Sequence, residues 1–146
     1  KYHNEYVGEN SRLDEIQAGF LRVKLKKLDD INQHKNALAA IYFKQLQGTQ
    51  FVLPARTAGY FHVFHIFNIR CKNRTNLAQF LLERGIKTDV HYPVAPNKQP
   101  ALLDILGGFH TPVAQEIHDT TLSLPISYCH TEQDVAYICS CLREYR

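Results

Sequence analysis

The sequence predicts an α+β chain: a long helix and a helical hairpin, followed by a small domain in which helices layer over a three-stranded, mainly antiparallel sheet. Three observations lead there. Apolar residues recur at helical spacing near both ends, short runs of aromatic and β-branched residues punctuate the middle, and glycine or proline stands where the pattern changes.

Ser11 followed by Asp14 reads as an N-cap with an acidic third residue, and Leu13, Ile16, Phe20 and Val23 continue at helical spacing, which predicts a long helix over 11–29. A second helix is predicted over 32–47, with Leu38, Ile41, Tyr42 and Leu46 on one side and Gly48 at its stop, so the two form a hairpin. Residues 54–59 are turn-like, and 60–70 read as a strand apolar on both faces. Asn73 is placed to cap a helix bearing Leu77, Phe80 and Leu81. Gly85 followed by Ile86 is the signature of a Schellman stop, with glycine in the left-handed conformation.

Beyond that stop, Ile86, Thr88, Val90 and Tyr92 alternate with Lys87, Asp89 and His91, which predicts a half-buried strand carrying His91 on its polar side. Pro93 and Pro96 end it. A short helix over 97–106 stops at Gly107 and Gly108, and Thr111-Pro112 opens another, since proline is well tolerated at the first helical position. Leu122, Leu124 and Ile126 alternate in a short strand whose Pro125 marks an edge or a bulge. Thr131 and Asp134 cap the last helix, in which Val135, Ile138 and Leu142 face the core. There is no internal repeat.

At 146 residues, 45% apolar and 21% charged, the chain can bury a core of its own. It begins at Lys1, and the opening KYHNEY resembles no signal peptide, so it reads as a piece of a longer chain. No apolar run approaches the roughly 20 residues that span a bilayer. Cys71, Cys129, Cys139 and Cys141 fit no disulfide framework, which points to free thiols in a reducing cytoplasm. The net charge of +3 favours an anionic ligand weakly and makes no case for nucleic acid.

Eight histidines invite a metal site, but His62 and His65 fall on opposite faces of the predicted strand, and Cys139 and Cys141 stand about 200° apart around a helix. Neither pair can clamp an ion. Nucleophile elbow, P-loop and dinucleotide-binding glycine patterns are absent from the sequence. His34, His110 and His118 read as locally bonded or surface residues.

Two segments stand apart. In GENSRLDEIQAGFL, Asn10 and Arg12 sit at the entry of a long helix, where an amide and a guanidinium suit a phosphate; the plainer alternative is a turn residue beside a surface charge. In KTDVHYPVAPNKQPA, a strand ends at His91-Tyr92-Pro93, and Asn97, Lys98 and Gln99 offer donors and acceptors for a polar, anionic ligand. The alternative is an ordinary proline-bounded turn.

These segments, with the strand YFHVFHIFNIR and the stretch LSLPISYCHTEQDVAYI, resemble in this order the DegT/DnrJ-type sugar aminotransferases, which share the aspartate aminotransferase fold and use pyridoxal 5'-phosphate. The resemblance covers essentially the whole chain. It implies the C-terminal part of a fold-type I enzyme: residues 1–30 as the end of the large domain with its connecting helix, and 31–146 as the small C-terminal domain. It implies further that the Schiff-base lysine lies upstream, leaving this stretch without a catalytic residue and inactive alone. Asn10, supported by Arg12, would bind the cofactor phosphate of the neighbouring subunit in a homodimer. Lys1 and His91, with Tyr92 beside them, would approach a nucleotide-diphosphate sugar. The HYPVAPNKQ form looks most like enzymes that aminate C3 of a dTDP-linked 3-keto-6-deoxyhexose, with glutamate as amino donor, for surface polysaccharides such as O-antigen. A sugar dehydratase of the same fold, with histidine for the lysine, is one alternative. An α+β binding module without enzyme activity is the other.

Overall fold

The elements of the structure, a computed structural model that describes residues 2–146, follow the predicted order, and beside the breaking up of the short 97–106 helix three differences stand out. The helices are α1 (Glu15–Leu25), α2 (Leu28–Leu46), α3 (Arg74–Leu82), α4 (Leu103–Leu106), α5 (Pro112–Thr120) and α6 (Glu132–Glu144), and the strands are β1 (Phe67–Arg70) and β2 (Thr121–Leu124). Two 3-10 turns, Pro96–Lys98 and Pro100–Leu102, lead into α4 in place of one continuous short helix.

The first difference is at the start. Helix α1 begins at Glu15 with Asp14 as its N-cap, so Ser11 and Arg12 lie outside it. Its run breaks at Lys26–Lys27, and α2 begins four residues earlier than predicted. Asp29 and Asp30 in the first turn of α2 complement the positive end of its dipole, and Lys27 Nζ pairs with Asp30 Oδ2 at 3.3 Å. Because α1 buries none of its side chains, the two helices do not pack as the predicted hairpin.

The second difference is the length of the first strand. Only Phe67–Arg70 is strand, because a local bond captures the chain before it: Phe64 N–H donates to His62 Nδ1 at 2.9 Å, and the two rings stack at 4.1 Å. Phe64 sits at φ 44°, a left-handed value that no strand residue adopts.

The third concerns the sheet. Named strands β1 and β2 pair antiparallel in the register Phe67↔Leu124, Asn68↔Ser123, Ile69↔Leu122 and Arg70↔Thr121, and the sheet they form has two strands, not three. The backbone of segment 86–92 pairs with β2 through the isolated Asp89↔Ser123 bridge, and Val52↔Arg70 bridges the other side of β1. In the register of that bridge Pro125 falls opposite Lys87 and has no N–H to donate, so the ladder cannot continue on that side.

The core lies where α2 and α6 pack against β1 and β2. Leu38, Tyr42 and Leu46 meet Val135, Ile138 and Leu142 there, with Phe67, Ile69, Leu122 and Leu124 from the strands and Leu77 and Leu81 from α3. Each such side chain contributes about 1.5–3 kcal/mol on burial. Tyr42 stacks on Phe67 at 4.6 Å, and Phe43 and Phe64 approach the same ring at 5.2 and 5.9 Å.

Two of the predicted end signals held, whereas Asn73 stands at the N-cap of α3 without a side-chain capping bond. Ile86 N–H reaches Leu81 O and Gly85 N–H reaches Leu82 O, both at 2.9 Å, with Gly85 at φ 76°: the paired bonds of a Schellman stop. Thr131 and Asp134 form a reciprocal capping box at the start of α6.

Burial also sets a limit on alkaline stability. It pushes the Cys139 thiol from 9.0 up to about 12, with Arg143 opposing, and raises the Tyr42 phenol, whose hydroxyl donates to Pro125 O at 2.7 Å. Both groups keep their protons longer when folded. Their contribution is therefore complete below about pH 9 and is lost as pH rises toward 12, at about 1.4 kcal/mol per pH unit per group. Urea midpoints measured from pH 8 upward should fall along that slope, and the Cys139→Ala variant should lose the earlier part of it.

Candidate functional site

Residues 86–92 leave the Schellman turn extended, and the bridge at Asp89 fixes which way the chain faces: Asp89 N–H donates to Ser123 O at 3.2 Å and Ser123 N–H to Asp89 O at 2.7 Å. Two residues on, the His91 side chain stands on the same side as Asp89, as the alternation predicted. His91 Nδ1 lies 2.8 Å from Ser123 Oγ, and the Ser123 hydroxyl donates to Asn68 Oδ1. On the other side of the ring, Nε2 is 3.8 Å from Asp89 Oδ2, at the outer limit of an ion pair. The His91 side chain is 25% exposed, enough to meet a ligand from one side only.

Tyr92 turns its ring edge-on to His91 at 5.5 Å and to Tyr2 at 5.8 Å. Its carbonyl accepts a hydrogen bond from His118 Nδ1 at 2.6 Å, a role for His118 that the sequence reading did not assign. Residues 2–4 are clipped to the loop beyond: Asn4 N–H donates to Gln99 Oε1 at 3.0 Å, Gln99 Nε2 to Tyr2 O at 2.8 Å, and Ala101 N–H to Asn4 O at 2.9 Å. Thus Tyr2, His91 and Tyr92 form one cluster. Lys1 lies outside the described residues.

The loop's own polar side chains are largely spent inside the protein. Asn97 is buried and donates to Phe109 O at 3.0 Å and to Thr111 Oγ1 at 3.4 Å, so it anchors the loop, and Gln99 holds residues 2–4. Of the three expected ligand-binding side chains, Lys98 alone remains directed to solvent. His91 and Asp89 instead line an open groove of about 720 Å3, shared with His65, Ser123, His130 and Asp134. Asp134 is held below the usual carboxylate range by the Thr131 N–H and hydroxyl. No group of three or more His, Cys, Asp or Glu residues able to hold a metal occurs among the described residues.

Asn10 and Arg12 are elsewhere. Both are exposed on the irregular segment ahead of α1, and no hydrogen bond, ion pair or ring contact among the described residues joins them to the His91 cluster. An amide and a guanidinium open to solvent form a donor set that matches phosphate oxygens, the part of pyridoxal 5'-phosphate they were expected to meet. They fit that part of the group and offer nothing to its ring.

Sequence reasoning missed Asn68 and Ser123. Their signal was available: a polar residue inside each of two short apolar strands, HIFNIR and LSLP, at positions that turn out to be cross-strand partners.

Similarity to known proteins covers the whole of this architecture. The chain is 37% identical over 145 residues to a dTDP-3-amino-3,6-dideoxy-alpha-D-galactopyranose transaminase of Aneurinibacillus thermoaerophilus, covering 99% of this chain and 40% of that protein. It is 40% identical over 128 residues to a dTDP-3-amino-3,4,6-trideoxy-alpha-D-glucose transaminase of Streptomyces venezuelae, covering 86% and 34%. Among solved structures, S. venezuelae DesV in complex with a ketimine intermediate superposes with a TM-score of 0.85 at 36% identity, covering 99% of this chain and 39% of that one. A DegT DnrJ EryC1 StrS aminotransferase from Brucella abortus gives 0.81 at 28% identity, covering 98% and 38%. The chain thus spans about two fifths of the length of these relatives. Residues 1–143 match the description DegT/DnrJ/EryC1/StrS aminotransferase, and the chain belongs to that family.

Proposed function

We propose that this chain supplies the sugar-contacting and phosphate-anchoring part of a pyridoxal 5'-phosphate-dependent aminotransferase, one that passes an amino group from glutamate to a keto-deoxysugar carried on a nucleotide. The product would serve surface polysaccharide synthesis in the cytoplasm. The observation that carries this reading is the clustering of His91, Tyr92 and Tyr2 at the end of one extended segment, with residues 2–4 clipped against it. That cluster brings two of the residues expected to touch the sugar next to the neighbour of the third, Lys1. Relatives named for dTDP-linked amino sugars support the substrate class.

On this reading the chain divides at about residue 30. Every residue of the buried core lies between Leu38 and Leu142, while α1 buries nothing and presents Ile16, Phe20, Val23 and Leu25 to solvent, as a connecting helix completed by other parts of an assembly would. Asn10 would donate its amide hydrogens to a phosphate oxygen of the cofactor held by the second copy in a homodimer, and Arg12 would add charge there. When bound, the cofactor supplies the electron sink for moving nitrogen between two carbonyl carbons. His91 and Tyr92 orient the sugar and shield one side of it from water. The reactive lysine belongs to residues outside this chain. Of the described lysines, Lys35 alone is partly withdrawn from water, and burial lowers it.

Two measurements test the reading together. With pyridoxal 5'-phosphate, glutamate and a dTDP-linked 3-keto-6-deoxyhexose, the chain alone should form no amino sugar detectable by mass spectrometry. Turnover would place the reactive amine in this chain and overturn the assignment. In NMR titrations, dTDP-glucose should shift the His91 and Tyr92 signals saturably, and shifts confined to other residues would remove them from the sugar site.

A further inference from the structure

Two side chains stand behind His91, and their hydrogens can be counted. A serine hydroxyl has one hydrogen to give and lone pairs with which to accept. Ser123 gives its hydrogen to Asn68 Oδ1, so at the 2.8 Å contact with His91 Nδ1 the ring nitrogen is the donor. A neutral imidazole that donates from Nδ1 keeps its lone pair on Nε2. That second nitrogen is the one on the Asp89 side, and both residues line the groove.

The support is rigid as well as directional. Asn68 and Ser123 are register partners across β1 and β2, and the Ser123 backbone also holds Asp89 on its far side. Ser123 is buried, which keeps water from competing for its hydroxyl. One hydroxyl, itself fixed by the Asn68 amide, thus meets the Nδ1 nitrogen from the middle of the sheet.

We propose that Asn68 and Ser123 are positioning residues that hold His91 with its proton on Nδ1, so that Nε2 meets the ligand as an acceptor for a sugar hydroxyl. The ligand half of this inference rests on the reading that the His91 cluster receives a nucleotide-linked sugar. The chemistry is selective. A hydroxyl has a hydrogen to give to Nε2, whereas the oxygens of a diphosphate only accept, so the same nitrogen that reads the sugar turns the diphosphate away and leaves it to cationic side chains.

Nitrogen NMR of the imidazoles in the whole chain, above their titration range, tests the positioning directly. Wild type should show His91 with a protonated Nδ1 and a lone pair on Nε2, and Ser123→Thr should keep that pattern. Ser123→Ala should lose the preference and give a mixture. Asn68→Ala should do something a merely structural role would not: with its acceptor gone, the Ser123 hydroxyl is free to donate to Nδ1, and the proton moves to Nε2. A urea midpoint for each variant confirms folding. Wild type with its proton on Nε2, or folded Ser123→Ala and Asn68→Ala variants that leave the pattern unchanged, overturn the positioning role. Titration with dTDP-glucose separates the other half: it should move the Nε2 signal, and Ser123→Ala should bind roughly tenfold more weakly. If the proton sits on Nδ1 and responds to the variants but dTDP-glucose leaves His91 unmoved, the sugar-acceptor role falls and the sugar reading of the cluster falls with it.

Discussion

Replacing Phe67 by alanine is expected to lower the unfolding free energy by about 3–5 kcal/mol, a loss of at least a hundredfold in the folding equilibrium. Phe67 is fully buried, and its ring is the hub of the aromatic cluster: Tyr42 stacks on it, and Phe43 and Phe64 lie against it. Removing the ring forfeits its transfer free energy and leaves a cavity among groups that α2 and the strands hold apart. The position is also a strand residue paired with Leu124, so the backbone cannot collapse to fill the space without breaking the register. Net stabilities of single domains run at about 5–15 kcal/mol, which makes this change large enough to bring the chain close to unfolding at room temperature. Urea denaturation followed by circular dichroism measures it. A loss below about 1 kcal/mol would mean that the ring is not in the core.

Val135→Asp should have the larger effect. Val135 is on the inner face of α6, wholly buried against α2, and no cationic side chain belongs to the core cluster around it. A carboxylate there either remains charged without a partner or takes up a proton, and either choice costs several kcal/mol at neutral pH. The variant is therefore expected to be unfolded at pH 7. Its sign with pH is the opposite of an ordinary surface carboxylate: burial raises the introduced group, so the penalty is complete above its folded value and shrinks as pH falls. Helical circular dichroism should recover part of its signal between pH 7 and 5, and a spectrum that is native at pH 7 would show that α6 does not pack as described.

Much of the framework was legible because it rests on short-range chemistry. Gly85-Ile86 and Thr131-Asp134 announce their caps in a handful of residues, and the buried faces of α2 and α6 follow from helical spacing alone. Strand length was not legible. Composition marks 60–70 and 86–92 as extended, but whether a ladder forms depends on where each N–H goes: His62 takes that of Phe64, and Pro125 has none to give opposite Lys87. The break between α1 and α2 left a trace in Asp29 and Asp30, which the smooth apolar spacing of the region obscured. At the site, a strand alternation sufficed to turn His91 and Asp89 the same way. Asn97 misled for the reason that amides often do: the groups that could hold a ligand are the same ones that tie a loop to itself.

The bridge between Asp89 and Ser123 has a consequence for how this protein can diversify. A strand zipped along its length constrains every residue through its neighbours, so one exchange disturbs the whole row. A stretch pinned at a single backbone pair is freer: its exposed side chains, such as Lys87 and Tyr92, can be rewritten one at a time while Ile86 and Val90 stay packed on the core. Sequence change can thus gather on the exposed positions beside His91 with little effect on the stability stored between the helices.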